Sequence, residues 1–204
     1  MHLEKLEDIE LARLSAQRNQ MAFAILVERY GAMVTGMARR FMRGSVDADD
    51  IAQSTFMTAW RRIETYSGGS FKSWLGTITY REFLQYRRKQ PDSVELDNGE
   101  HGEFTQLSSS HSDMRLDLEM ALEMLSERQR ICVIFCVAAG FSHAEAARMT
   151  GWPLGTVKSH VNRGVAKIRA ILVVEEATEE GANGMSTCQG SRHKRIGKDR
   201  TDVV

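Results

Sequence analysis

The stretch SHAEAARMTGWPLGTVKSHVNRGVAKIRAIL, Ser142 to Leu172, decides the fold of the second half of the chain. Ser142 with Glu145 three residues later is a capping-box pattern, so a short helix begins there. Gly151 stops it, and Pro153 opens the next helix, since a first-turn proline forfeits no intrahelical bond. Two short helices about such a turn predict a helix-turn-helix, whose second member enters the major groove of DNA. In that second helix Leu154, Val157, Val161, Val165, Ile168 and Leu172 recur every three or four residues and form an anchoring face. Thr156, Ser159 and Arg163 lie opposite, with Lys158 and Asn162 on one flank and His160 on the other.

From Gly151 to Leu172 the chain carries Lys158, Arg163, Lys167 and Arg169 and no acid. A merely solvated helix predicts mixed charge with Glu-Lys pairs. A face without acid suits phosphates, and its side chains suit bases: Arg and Lys bond guanine edges, and Asn pairs with adenine. The whole chain is nonetheless neutral, with 27 Lys plus Arg against 27 Asp plus Glu. Nucleic-acid contact therefore comes from segregated patches rather than from general stickiness.

The 204 residues include only two prolines and 11 methionines and are 42% hydrophobic, which predicts an all-α protein. Two small helical domains joined by a flexible linker are expected. The first covers residues 1–89, the linker 90–115, the helix-turn-helix domain 116–174, and a mobile tail 175–204. In the first domain Phe23, Leu26, Val27, Tyr30, Val34, Met37 and Phe41 mark a long core helix. The polar, acidic and Ser/Gly-rich stretch after Pro91 loses the helical period. The tail has no amphipathic pattern, and its basic cluster Arg192, His193, Lys194, Arg195, Lys198 and Arg200 is read as a solvated terminus. No run is expected to reach membrane-spanning length, and the acidic start lacks a signal peptide's basic flank, so a cytoplasmic location is expected.

SVDADDIAQSTFMTAWRRI, residues 45–63, opens with Ser45 and Asp47 as candidate N-caps. At 100° per residue Ala52, Phe56, Ala59 and Ile63 face inward, while Asp50, Ser54, Met57 and Arg61 face out. The Gly-Gly break in ETYSGGS then precedes FKSWLGTITYREFLQYRRKQ, where cations alternate with rings. Such interleaving suits single-stranded nucleic acid, cations tracking phosphates and rings stacking on unpaired bases. Phe71, Trp74 and Ile78 equally suit a core. Cys132, Cys136 and Cys188 are odd in number, and the first two sit in an apolar run without His, Asp or Glu, as buried structural thiols do. No nucleophile and base stand at recognisable spacing.

Three segments in this order resemble the bacterial RNA polymerase sigma factors, specifically the two-domain extracytoplasmic-function class of the sigma-70 family. DADDIAQSTFMTAW resembles the polymerase-binding helix, SFKSWLGTITYREFLQYRRK the promoter-melting segment, and FSHAEAARMTGWPLGTVKSHVNRGVAKIR the promoter-reading helix-turn-helix. The resemblance implies a non-enzymatic protein without cofactor, metal or small-molecule substrate. Its partners would be core RNA polymerase, promoter DNA and an anti-sigma factor, with no membrane insertion. It places Asp49, Asp50, Gln53 and Met57 on polymerase. Tyr66, Ser67, Gly68, Gly69 and Ser70 would cradle a base flipped from the −10 element, with Lys72, Tyr80 and Arg81 supporting the separated strand. Thr156, Lys158, Ser159, His160, Asn162 and Arg163 would meet the −35 element. Ser54, Arg81, His160 and Asn162 depart from the residues common in the family. The alternative is a stand-alone helix-turn-helix regulator with an N-terminal sensing or dimerising domain, in which the basic-aromatic run ending at Lys89 has no natural place.

Overall fold

The structure, a computed structural model, describes residues 3–43, 45–89 and 114–184, and among these every regular element is helical. The first unit contains α1 (Asp8–Ala16), α2 (Gln20–Phe41), α3 (Ala48–Arg62) and α4 (Phe71–Lys89), with single 3-10 turns at Leu3–Lys5 and Ile63–Thr65. Asn19 caps α2 by accepting from the Ala22 N–H at 3.1 Å. Leu26, Val34, Met37 and Phe41 of α2 are buried against α1, α3 and α4. Contrary to expectation, α2 is by length and composition apolar enough to cross a membrane. Here it is the central helix of the bundle, which needs the same apolarity.

Asp47 occupies the N-cap position of α3, but its carboxylate makes no bond to that helix. It accepts instead from the hydroxyls of Tyr86 and Ser45, so the expected cap ties α3 to α4. Gly68 and Gly69 turn the chain into α4 at φ +108° and +82°, a region that side chains other than glycine enter at a cost.

The second unit contains α5 (Met114–Glu123), α6 (Glu127–Val133), α7 (His143–Thr150) and α8 (Leu154–Gly184). α5 begins inside the stretch expected to be linker. α8 continues to Gly184, into the stretch expected to be tail, because residues 173–180 are rich in Glu, a good helix former, and hold no proline to stop helix propagation. The remaining linker and tail expectations, with Cys188 and the terminal basic cluster, lie outside the described residues. α6 passes into a π-helical turn, Ile134–Ala138, closed by the Ala139 N–H on the Ile134 carbonyl at 2.8 Å.

The two units share a core. Phe135 of the π turn stands 5.6 Å from the ring of Phe41 and 5.5 Å from that of Tyr80. Within the second unit α8 crosses α6 at Gly164, where an added Cβ would lie 2.7 Å from Cγ2 of Val133. Gly164→Ala is expected to destabilise that unit by about 1 to 3 kcal/mol through overpacking. Gly155→Ala, where nothing lies within 4 Å, is expected to be neutral or to stabilise by up to about 1 kcal/mol. Urea unfolding midpoints of the two variants check the contrast.

Candidate nucleic-acid interface

The helix-turn-helix forms as its local chemistry requires. Ser142 accepts from the Glu145 N–H at 3.2 Å, and Glu145 accepts from the Ser142 N–H at 2.8 Å. Gly151 ends α7 at φ +76°, its N–H donating to the Ala147 carbonyl at 2.9 Å. Val157, Val161 and Ile168 are buried and anchor α8. Leu154, assigned to that face, is instead 43% exposed; burial of the face begins at Val157.

Lys158, Ser159, Asn162 and Arg163 form an exposed edge, with Thr156 half-buried beside it. His160 is turned away from this edge. Its ring lies 6.1 Å from that of Trp152, its Nδ1 is shielded without a partner, and Arg128 covers the other ring at 5.6 Å. Burial lowers its pKa, and Arg163 and Arg128 lower it further, which favours the neutral imidazole. His160 is thus a packing residue in this structure.

In the first unit Asp49, Asp50, Gln53 and Met57 all stand exposed on one side of α3, Met57 at 53%. Asp49 meets Arg39 at 3.4 Å, a solvent-exposed pair of small energetic value. In the following loop the Tyr66 hydroxyl donates to the Gly69 carbonyl at 2.6 Å, and its ring rests on Phe71 and Trp74. Ser67, Gly69 and Ser70 are exposed, and Gly68 is half-buried. Phe71 and Ile78 are core, and Arg81 is exposed.

Two residues expected to support a separated strand are engaged by the second unit. Tyr80 is 3% exposed among Phe41, Phe83 and Phe135. Burial, with the charge of Glu127, pushes its hydroxyl up to about 12. It is a core residue in this arrangement because the tyrosine ring fills the joint between the units. Lys72 donates to the Gly140 carbonyl at 3.4 Å, and its Nζ sits 4.8 Å from the Phe141 ring centre.

Three further contacts close the joint. The Ser73 hydroxyl donates to Oε1 of Glu145, 72 residues away. With the Ser142 bonds this holds the Glu145 carboxyl down at about 2. Arg87 meets Glu127 at 3.5 Å. A Cβ on Gly76 would lie 2.9 Å from Cζ of Phe141. The sequence shows Glu145 as a cap; its second bond, to Ser73, leaves no sequence signal.

Comparison with known proteins follows this geometry. Residues 26–91, spanning most of α2 through α4, match Sigma-70 region 2, and residues 115–168, from α5 into α8, match Sigma-70 region 4. The RNA polymerase sigma factor NccH of Alcaligenes xylosoxydans xylosoxydans is 33% identical over 81% of this chain and 94% of its own length. The ECF sigma factor EcfG of Rhodopseudomonas palustris is 35% identical over 69% of this chain and 80% of its own. The chain belongs to the extracytoplasmic-function sigma factors of the sigma-70 family. Among solved structures, CnrH in complex with the cytosolic domain of CnrY resembles this sigma factor with TM-score 0.61 and 27% identity, over 82% of this chain and 97% of that one. RpoE in complex with the anti-sigma factor NepR, from Bartonella quintana, gives TM-score 0.56 and 30% identity over 73% and 97%.

A sigma factor is a transcription initiation factor: it binds core RNA polymerase and promoter DNA and is not by itself a catalyst. Among the described residues no group of three or more His, Cys, Asp or Glu stands close enough to hold a metal. Cys132 is fully buried, and burial first, then the neighbouring Cys136, pushes its thiol up to about 12. Since the thiolate is the reactive form, maleimide at pH 8 is expected to leave Cys132 unmodified in the folded sigma factor and to modify it in urea. Peptide mass spectrometry reads the difference.

Proposed function

We infer that this sigma factor works through three separate surfaces on a jointed helical body. The exposed side of α3, with Asp49, Asp50, Gln53 and Met57, docks on the clamp helices of the polymerase largest subunit. The loop Tyr66 to Ser70 holds a base extruded from the non-template strand of the −10 element, with Lys72 and Arg81 along the strand. Lys158, Ser159, Asn162 and Arg163 read the −35 element as duplex. One observation carries the reading: the acid-bearing edge of α3 and the acid-free edge of α8 both face solvent, each on a helix anchored by a buried opposite face. Opposite charge on separate rigid elements suits a protein that must meet an enzyme and DNA at once.

Closure of the joint engages Lys72 with Gly140 and Phe141, so strand capture follows separation of the two units on polymerase. Arg130 favours that opening. It is 2% exposed, its Nε and Nη1 have no partner, and burial with the nearby charge of Arg43 lowers its pKa to about 10. A buried cation with two guanidinium nitrogens unpartnered is costly, and separation of the units rehydrates it. Two tethered modules of modest affinity then combine only when both promoter elements lie at the right spacing. The resemblance to CnrH and to the Bartonella RpoE, each solved with a protein partner, supports control by an anti-sigma factor that covers the α3 surface, in the cytoplasm.

Run-off transcription with purified core polymerase on pooled genomic fragments tests the reading. Discrete start sites are expected; failure to initiate on any template overturns it. Asp50→Arg is expected to abolish co-purification with core polymerase while leaving the helical circular dichroism unchanged. Gly76→Leu collides with Phe141 and is expected to open the joint. The opened chain should bind single-stranded non-template −10 DNA more tightly than the parent, as read by fluorescence anisotropy without polymerase.

A further inference from the structure

Two clefts flank Arg29, and their charges differ. The one beside the loop Tyr66 to Ser70 is lined by Glu7 and Asp8 as well as by Lys5 and Arg29. Arg29 is committed on that side: its Nη1 donates to Oδ1 of Asp8 at 2.8 Å, and its Nη2 donates to the carbonyls of Glu4 at 2.7 Å and Leu6 at 2.9 Å. The second cleft, of about 330 Å³, runs along α2 and takes its walls from both units. Met33, Met37 and Arg40 of α2 line it together with Lys72 of α4 and Ile134 of the π turn. Among the described residues no carboxylate lines it.

The two other cations of this cleft are uncompensated. Arg40 gives one N–H to the Gly36 carbonyl at 3.1 Å. Lys72 gives one to the Gly140 carbonyl at 3.4 Å, with the Phe141 ring centre 4.8 Å from its Nζ. Both side chains hold further N–H groups, both residues are half-buried, and neither meets an acid within ion-pair distance among the described residues. The acceptors at the cleft are neutral: the Gly36 carbonyl, and the Tyr30 oxygen, whose hydrogen goes to Asp8. Between the cations the lining is apolar. Met37 and Ile134 are buried, and Met33 is half-buried beside them.

We propose that this cleft binds a soluble anionic amphiphile, a carboxylate or phosphate on a short aliphatic chain, and that the bound molecule holds the two units together. Its headgroup pairs with Arg40 and Lys72, and its chain lies on Met33, Met37 and Ile134. Size selects the class. Small-molecule sites begin at about 300 Å³, whereas one turn of α-helix with its side chains, about 10 Å across and 5.4 Å long, fills about 400 Å³. The cleft therefore takes a small molecule rather than a partner helix. An inorganic anion leaves the methionine floor wet, and a neutral chain leaves the cations unpaired. Because the walls come from both units, the ligand binds only the closed joint and shifts the population toward it. Its effect on initiation rests on the sigma factor reading above, in which the joint must open; binding itself does not.

The probe is octyl phosphate below its micelle concentration, titrated calorimetrically into the full chain without polymerase. Saturable binding is expected, with inorganic phosphate and octanol each about tenfold weaker or more. Arg40→Gln is expected to lower the affinity about tenfold or more. Met33→Gln, which keeps the side-chain length and removes the apolar contact, is expected to do the same; should either variant fail to fold, the other decides. Lys158→Gln, on the basic edge of α8, is expected to leave binding unchanged. Binding that falls equally in Lys158→Gln and Arg40→Gln, or that inorganic phosphate reproduces, is general attraction to charge and overturns the proposal. So does a chain that takes up phosphatidylglycerol vesicles but no octyl phosphate. With core polymerase present, octyl phosphate at about ten times its dissociation constant favours the closed joint about tenfold and is expected to lower initiation by up to that factor, while the Arg40→Gln chain initiates as before. Equal inhibition of both chains, or undiminished initiation by a parent chain that binds the amphiphile, overturns the holding role. A parent chain that initiates nowhere without amphiphile sinks the sigma factor reading, and the titration still decides the site.

Discussion

Phe135 is the side chain on which the arrangement of this molecule turns. It projects from a π-helical turn of the second unit into the aromatic cluster of the first, with Phe41, Tyr80 and Phe141 around it. An α-helical continuation would place the side chains after Ile134 at another angle, since the π turn inserts one residue per turn of hydrogen bonding. Aromatic rings bury large areas at preferred tilts, so this one insertion brings α7 down on α4 and sets the positions of Lys72, Ser73 and Gly76 against Gly140, Glu145 and Phe141.

The joint is nevertheless built from opposing contributions. Ring packing and the Ser73–Glu145 bond favour closure, whereas Arg130 loses hydration on closing with its Nε and Nη1 left without partners. Ion pairs at the margin, such as Arg87 with Glu127, are partly exposed and add little. A joint held by apolar area and weakened by a buried cation can exchange its contacts for those of a larger partner. Polymerase supplies such a partner in the proposed function.

Charge segregation explains how a neutral chain serves an anionic polymer. Acids gather on α3, while cations occupy the outer edge of α8 and the last turn of α4. Because nonspecific affinity follows the number of phosphates neutralised, the balanced total limits wandering on DNA by the free protein. The N-terminal segment adds two acids, Glu7 and Asp8, to a cleft also bordered by Lys5 and Arg29.

The sequence by itself determined what is local. The capping box at Ser142, the left-handed stop at Gly151, the Gly-Gly turn before α4 and the apolar stripe of α8 from Val157 to Ile168 are short-range chemistry, and they form as the residues require. The outward edge of α3 follows from helical periodicity in the same way. Tertiary structure alone decided what depends on distant partners. Tyr80 is interleaved with cations like its neighbours, yet it packs among Phe41, Phe83 and, from the second unit, Phe135. His160 stands among DNA-facing residues, and only Trp152 withdraws it. Asp47 and Glu145 look like caps, but the hydroxyls that claim their oxygens lie 39 and 72 residues away in sequence. Asp8 sits beyond the matched region and becomes visible only when Arg29 pins it beside the Tyr66 loop. Helical periodicity is written every three or four residues; a contact between units is written in no interval, because it depends on how whole faces meet.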